Sequence, residues 1–383
     1  MDPIVIIGTG LAGYGVAREL RKLDRETPLH LITGDDAVSY SKPMLSNALA
    51  SGKTADHLAL ASAEDMGRTL HAVVHSHTRV TALDIPGRRL RTERDEMPFG
   101  HLVLALGADP IRLSPEGDGA EHVRSVNDRG DYARFREAIA GKRHVTILGA
   151  GLIGCEFAND LRRAGYAVAV VDPAPQPLGR LLPPQAGAFL RQRLERSGVR
   201  FHFQCTAQRI DRDGARLAVT LSDGETLSTD CVLSAVGLRP RTNLAAAAGL
   251  GVGRGVRVDR CLRTSAEGVY ALGDCAEVEG LVLPFVMPLM AAARALGATL
   301  AGRPTPALYP AMPVVVKTPD CPTVVCPPLA GSSGAWQETE GEEGVTSLLR
   351  DPAGRLLGFA LCGDATAEKR RLAREIAPWL AAN

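Results

Sequence analysis

Two glycine clusters of identical spacing are the residues of this chain whose chemistry is easiest to name. Gly8-Thr9-Gly10-Leu11-Ala12-Gly13 follows the apolar run Ile4-Val5-Ile6-Ile7, and Gly149-Ala150-Gly151-Leu152-Ile153-Gly154 follows His144-Val145-Thr146-Ile147-Leu148. Each leads into apolar residues at helical spacing, Val16, Ala17, Leu20 and Leu23 in the first copy and Phe157, Ala158 and Leu161 in the second. A strand, a G-x-G-x-x-G loop and a helix in that order form a cradle for a dinucleotide diphosphate. The first glycine permits the tight turn, the second lets the backbone approach the phosphates, and the third lets the helix pack on the strand. Amides at the helix N-terminus then face the negative charge. One such loop arises easily by chance, whereas two in the right context predict two nucleotide sites.

The acid that completes the second loop is Asp172, which ends the run Val168-Ala169-Val170-Val171. About 20 residues beyond such a loop a carboxylate accepts hydrogen bonds from the ribose hydroxyls. Its charge repels a 2′-phosphate, so NADH is expected over NADPH, with Arg180 within reach of such a phosphate. The corresponding strand after the first loop ends Thr33-Gly34-Asp35-Asp36, so Asp35 or the local backbone must serve that ribose. Two other clusters carry less. His75-Ser76-His77 would put two imidazoles on one strand face, without a third ligand for zinc. Cys321 and Cys326 lie in an extended run, where residues five apart are ~16 Å distant, too far for a disulfide unless the chain bends.

These residues need elements to hold them. A chain of 383 residues with 45% hydrophobic content can bury two or three cores. Between the loops, Val73 to Leu90 reads as a small antiparallel meander turning at Pro86-Gly87, and Leu102-Val103-Leu104-Ala105 as a buried strand ending near Gly107. Short strands from Thr206 to Leu227 and a buried strand from Val232 to Val236, ending at Gly237, repeat that plan after the second loop. Beyond Gly302-Arg303-Pro304-Thr305-Pro306, which reads as a linker, residues 311 to 377 predict a small α+β unit. Its strands lie near Val314-Val316, Thr323-Val325 and Leu356-Leu361, and its helix runs from Ala365 to Ile376. The fold class is therefore α/β, with two Rossmann-like dinucleotide-binding domains and a small C-terminal α+β domain.

Composition excludes several partners. With 44 basic and 43 acidic residues and a net charge of +1, the chain has no general attraction for nucleic acid or anionic membranes. The apolar stretch from Leu281 to Leu300 is broken by Pro284 and Pro288 and carries Arg294, so it reads as a buried helix rather than a membrane span. The eight cysteines are spread over the C-terminal two thirds, several in apolar runs, as buried reduced thiols would be. No basic segment or cleavage site precedes Ile4, and the expected location is the cytoplasm.

Further segments make a resemblance specific. Ala105-Leu106-Gly107-Ala108-Asp109-Pro110, Ala235-Val236-Gly237-Leu238-Arg239-Pro240 and Tyr270-Ala271-Leu272-Gly273-Asp274 resemble, with both glycine loops, the FAD-dependent pyridine-nucleotide reductase superfamily over essentially the whole chain. The resemblance implies a discontinuous FAD-binding domain (1–112 and 240–305), an inserted NAD-binding domain (113–239) and a C-terminal interface domain (306–383). It also implies that Asp274 binds the ribitol chain, that Val80 offers its backbone to the adenine, and that Val286 offers its backbone to the flavin ring. Ala105, Gly107 and Gly237 would line the cofactors. Disulfide reductases of the superfamily carry a C-x₄-C pair after the second strand or a C-x-x-C pair in the NAD domain, and this chain has neither. Electrons must therefore leave the flavin without a cysteine relay.

The segment Ser41-Lys42-Pro43-Met44-Leu45-Ser46 resembles single-component reductases that serve small iron proteins. Pro43 suits a first helical turn, and Lys42 would then face the flavin, where positive charge stabilises the reduced ring. Lys317, after Pro313-Val314-Val315-Val316, is a second lysine for the flavin edge. Glu156, two residues past Gly154 and assigned to the first helical turn, would lie between nicotinamide and flavin and pair with a lysine. An acid there also suits the helix dipole. Because Asn47 stands where ferredoxin reductases carry lysine, Lys42 is the expected partner. Over its length the chain is most similar to bacterial NADH:rubredoxin reductases, through these residues and Gly154-Cys155-Glu156-Phe157-Ala158-Asn159-Asp160, Val286-Met287-Pro288-Leu289-Met290 and Val316-Lys317-Thr318-Pro319. That implies rubredoxin as electron acceptor. A ferredoxin of an oxygenase system, dioxygen, or a non-catalytic nicotinamide sensor are the alternatives.

Overall fold

The computed structural model describes residues 2–381. Ile4–Ile7, buried at every position, lies inside a five-stranded parallel sheet ordered Val269–Ala271, His101–Leu104, Ile4–Ile7, Leu29–Ile32 and Val73–His75. Strands covered on both faces read as continuous apolar runs, and this is why Ile4-Val5-Ile6-Ile7 shows no alternation. The helix Leu11–Arg21, which follows the first glycine loop, packs against the helix Val286–Leu300. Among the described residues no helix is long and apolar enough to cross a membrane.

Val73–His75 departs from the expected meander, because it pairs in parallel with Leu29–Ile32 and forms the sheet edge. The antiparallel meander is Val80–Asp84, Arg89–Thr92 and Glu96–Pro98. Two valines in a row have no period to show which partner they take, and the chain reverses between the two at His77, whose φ is +48°. The two imidazoles consequently do not share a strand face. His75 stacks on His30, with ring nitrogens 3.0 Å apart, while His77 sits in the turn.

A second parallel sheet repeats the plan in the order Val123–Arg124, Cys231–Ser234, His144–Leu148, Ala167–Asp172 and Val199–Phe203. It too carries a three-stranded antiparallel appendage, Ala207–Asp213, Arg216–Leu221 and Thr226–Thr229. The segments Ala108–Pro110 and Leu238–Pro240 pair with each other as a two-stranded antiparallel ribbon.

The C-terminal sheet has five antiparallel strands, ordered Val314–Val316, Thr323–Cys326, Leu356–Gly363, Gly344–Arg350 and Ala335–Glu340. The first three match the strands expected from the sequence, whereas Gly344–Arg350 and Ala335–Glu340 lie where none was expected. The helix is shorter than expected, Lys369–Glu375, after a 3₁₀ turn at Asp364–Glu368. Alternate residues of the central strands serve different cores. Val324, Cys326, Phe359 and Leu361 pack into the core around Ile4–Ile7, whereas Val325, Ala360 and Cys362 pack into the core around Phe135 and Phe157. A buried Val, Leu or Phe side chain contributes about 1.5–3 kcal/mol, against about 0–1 kcal/mol for an exposed ion pair. The two-faced sheet therefore holds the molecule together chiefly by packing. Cys321 and Cys326 point into opposite cores, and all eight cysteines are free.

Candidate active site

Both glycine loops have the geometry that their spacing demands. Gly8 and Gly149 adopt φ of +111° and +106°, and a Cβ on either would lie 2.2 Å from the Ala105 carbonyl oxygen or 2.7 Å from that of Ala235. A Cβ on Gly13 or Gly154 would lie 1.8 or 1.9 Å from the carbonyl oxygen of the loop's first glycine. Gly10 and Gly151 differ, because a Cβ there would meet nothing within 4 Å. These middle glycines keep open the space that a diphosphate needs. Each also starts a helix with no side-chain cap and no acid in its first turn, so the N-terminal amides and the positive end of the dipole remain available to an anion. The residues therefore fit two dinucleotides.

The acids stand beside these loops. Asp172 accepts from the Ala150 amide at 2.5 Å and from the Ala174 amide at 2.7 Å, so it is fastened to the second loop itself. Asp35 Oδ1 accepts from the Thr33 hydroxyl at 2.9 Å, the Ala37 amide at 3.0 Å and, more distantly, the Thr9 hydroxyl at 3.5 Å. That places Thr9, Thr33, Gly34 and Asp35 together at the first loop. Asp36 turns away to pair with Arg129. Ala105 closes against Gly8, and Gly107 and Gly237 take φ of +73° and +117° on either side of the two-stranded ribbon. Asp274 lies in the 3₁₀ turn Gly273–Cys275, and a Cβ on Gly273 would come 2.9 Å from the Ala12 side chain, so this turn abuts the first loop's helix. Val80 begins its meander strand opposite Thr92. Val286 begins the long helix and is 43% exposed.

Charged residues converge where the units meet. Lys42 and Pro43 open the 3₁₀ helix Lys42–Ser46. Its last residue, Ser46, donates to Glu156 Oε2 at 2.5 Å. Glu156, only 3% exposed, also receives the Lys317 amide on Oε1 at 3.0 Å and the Lys317 ammonium on Oε2. The expected partnership with Lys42 is therefore corrected: the partner is Lys317. Glu156 also lies one turn deeper in the helix Leu152–Arg163 than expected, for the first turn holds no acid. The Lys42 ammonium instead donates to Asn127 Oδ1 at 2.8 Å. Burial pushes its pKa below the usual lysine range, and the nearby Asp274 carboxylate opposes that shift. Asn47 Oδ1 is buried without a hydrogen-bond partner among the described residues.

Glu156 is one of four polar residues on a single stripe of its helix. Asn159 bonds Asp320, Asp160 accepts the amides of Leu49 at 2.8 Å and Ala50 at 3.0 Å, and Arg163 bonds Asp320 at 2.7 Å. Positions separated by three, four and seven residues share a helical face. This polar spacing was available in the sequence, but the partners it reaches were not.

The family of pyridine nucleotide-disulphide oxidoreductases matches residues 2–297. The chain belongs to that family. Residues 306–376, which include Lys317, match the family described as rubredoxin binding C-terminal domain. The chain is 51% identical to a rubredoxin-NAD(+) reductase of Alcanivorax borkumensis, with 98% of this chain and 99% of the relative covered. A protein of the same description from Acinetobacter baylyi is 47% identical, with 97% and 96% covered. Among solved structures, a ferredoxin reductase from Rhodopseudomonas palustris superposes with a TM-score of 0.89 at 28% identity, covering 98% of this chain and 96% of that one.

Proposed function

We propose that this family member is an FAD-dependent NADH reductase that transfers a hydride from NADH to FAD and then passes single electrons to rubredoxin. The observation that carries this reading is Lys317. The segment matched as rubredoxin binding supplies the ammonium that pairs with Glu156 on the helix of the second nucleotide loop. Acceptor docking and nucleotide binding thus meet at one ion pair.

Bound FAD supplies the chemistry that no side chain here has, taking two electrons together and releasing them one at a time. We assign the Gly8 loop, with Thr33, Gly34, Asp35, Val80, Ala105, Gly107, Asp274 and Val286, to FAD. The Gly149 loop, with Asp172 and Gly237, is assigned to NADH. These sites imply an FAD unit of 1–112 and 240–305, an NAD unit of 113–239 and an interface unit of 306–383. Asp172 orients the ribose and repels a 2′-phosphate. Lys42 places positive charge where the reduced ring is negative, and such fixed charges cost no reorganisation during the reaction. The buried Glu156–Lys317 pair would border nicotinamide and flavin when both are bound. Eight free thiols suit a reducing compartment, and we assign the protein to the cytoplasm.

Purified protein is expected to be yellow and to bleach when NADH is added without oxygen. Reoxidation should then be faster with rubredoxin than with a ferredoxin or air. Bleaching followed by equally slow reoxidation with rubredoxin and with buffer would remove rubredoxin as the acceptor.

A further inference from the structure

Asn127 belongs to none of the sequence motifs, yet it is 7% exposed and both ends of its side-chain amide, with its backbone amide, are hydrogen-bonded. Its Oδ1 accepts from the Lys42 ammonium at 2.8 Å, its Nδ2 donates to the Ala108 carbonyl at 3.0 Å, and its own amide donates to Asp131 at 3.0 Å. Ala108 opens the two-stranded ribbon just after Gly107, so the amide side chain is fixed at one end by a turn of the candidate flavin site. At its other end it meets a lysine whose largest charged influence is Asp274. A flexible four-carbon stem has many rotamers, and a rigid acceptor selects one of them. Among the described residues, Asn127 is the hydrogen-bond acceptor for this ammonium.

We propose that Asn127 is a positioning residue that holds the Lys42 ammonium, charged, against the flavin ring and thereby favours flavin reduction. The inference rests on the reading that FAD occupies the Gly8 site. Asn127 touches neither cofactor in this scheme and acts only through Lys42. A neutral oxygen acceptor suits that task, because it stabilises the charge without cancelling its field, as a carboxylate would.

The test is the equilibrium ratio of oxidised to reduced flavin in the purified holoprotein, read from its visible spectrum against a redox dye at fixed potential. Lys42→Met should move the ratio about tenfold toward oxidised flavin, ~30 mV for a two-electron couple. Asn127→Ala should move it about three- to tenfold the same way, the size of a typical net hydrogen-bond contribution. Asn127→Ala added to Lys42→Met should move it no further. Asn127→Asp keeps the acceptor but opposes the charge, so it should shift the ratio as Lys42→Met does. It also serves if the alanine variant folds poorly. An unchanged ratio in Asn127→Ala and Asn127→Asp, or an Asn127→Ala shift that persists undiminished without Lys42, overturns the proposal. A wild-type protein that binds no flavin overturns the cofactor assignment and this inference with it. Flavin bound but indifferent to Asn127 overturns this inference alone.

Discussion

A carboxylate with 3% of its surface exposed is tolerated only where donors replace the lost water, and Glu156 has three of them: the Ser46 hydroxyl and the amide and ammonium of Lys317. Removing one member of a fully buried pair costs about 3–5 kcal/mol, because the other charge is stranded. The Lys317 side chain is 26% exposed, so solvent screens part of that penalty. Lys317→Met is therefore expected to destabilise the protein by about 1–3 kcal/mol in urea unfolding. Glu156→Gln placed in the same chain should restore most of the loss, since an amide carries no charge to strand. Equal stability of Lys317→Met and wild type would mean that the pair does not form in solution.

The helix Leu152–Arg163 does two jobs with two stripes, an apolar one toward its own core and a polar one toward the rest of the molecule. Asp160 ties the loop at Leu49 and Ala50 to this helix, and burial pushes its carboxyl above the usual carboxylate range, with those two amides opposing the shift. The folded chain then binds this proton more tightly than the unfolded one. Its titration favours folding at low pH, and that contribution is lost as pH rises from about 3.9 through the raised value. Asp160→Ala, which leaves two amides without an acceptor, should cost about 1–3 kcal/mol. The gap from wild type in urea midpoint should narrow between about pH 4 and pH 7, and a gap that widens would contradict the assignment. The glycine loops were legible in the sequence because positive φ and backbone contact at Gly8 and Gly149 demand glycine whatever surrounds them. Ala335–Glu340 was not, for it is a largely solvent-facing edge strand with no apolar alternation to betray it. The Glu156 partner was equally hidden, since Lys317 lies 161 positions away and only the docking of the C-terminal sheet brings it near.

For the whole molecule, the two-faced C-terminal sheet means that a protein docking on it is held in a set relation to both nucleotide loops at once. What guides such a partner there must be local. With 44 basic and 43 acidic residues the chain has almost no net field, and at physiological salt an exposed charge is felt over only ~8 Å. An acidic partner therefore has to be drawn by cations close to its docking face, and within the segment matched as rubredoxin binding Lys317 is already engaged with Glu156. The second-order rate of rubredoxin reduction is expected to fall about three- to tenfold between low and high ionic strength. Reduction of a small uncharged quinone by the same NADH-reduced protein should change less than about twofold, because no charge pattern guides it. Stopped-flow measurement of both rates in one salt series separates docking from chemistry. If the two fall together, salt acts on nicotinamide binding or on the flavin. If neither falls, rubredoxin reaches the flavin edge through apolar contact alone.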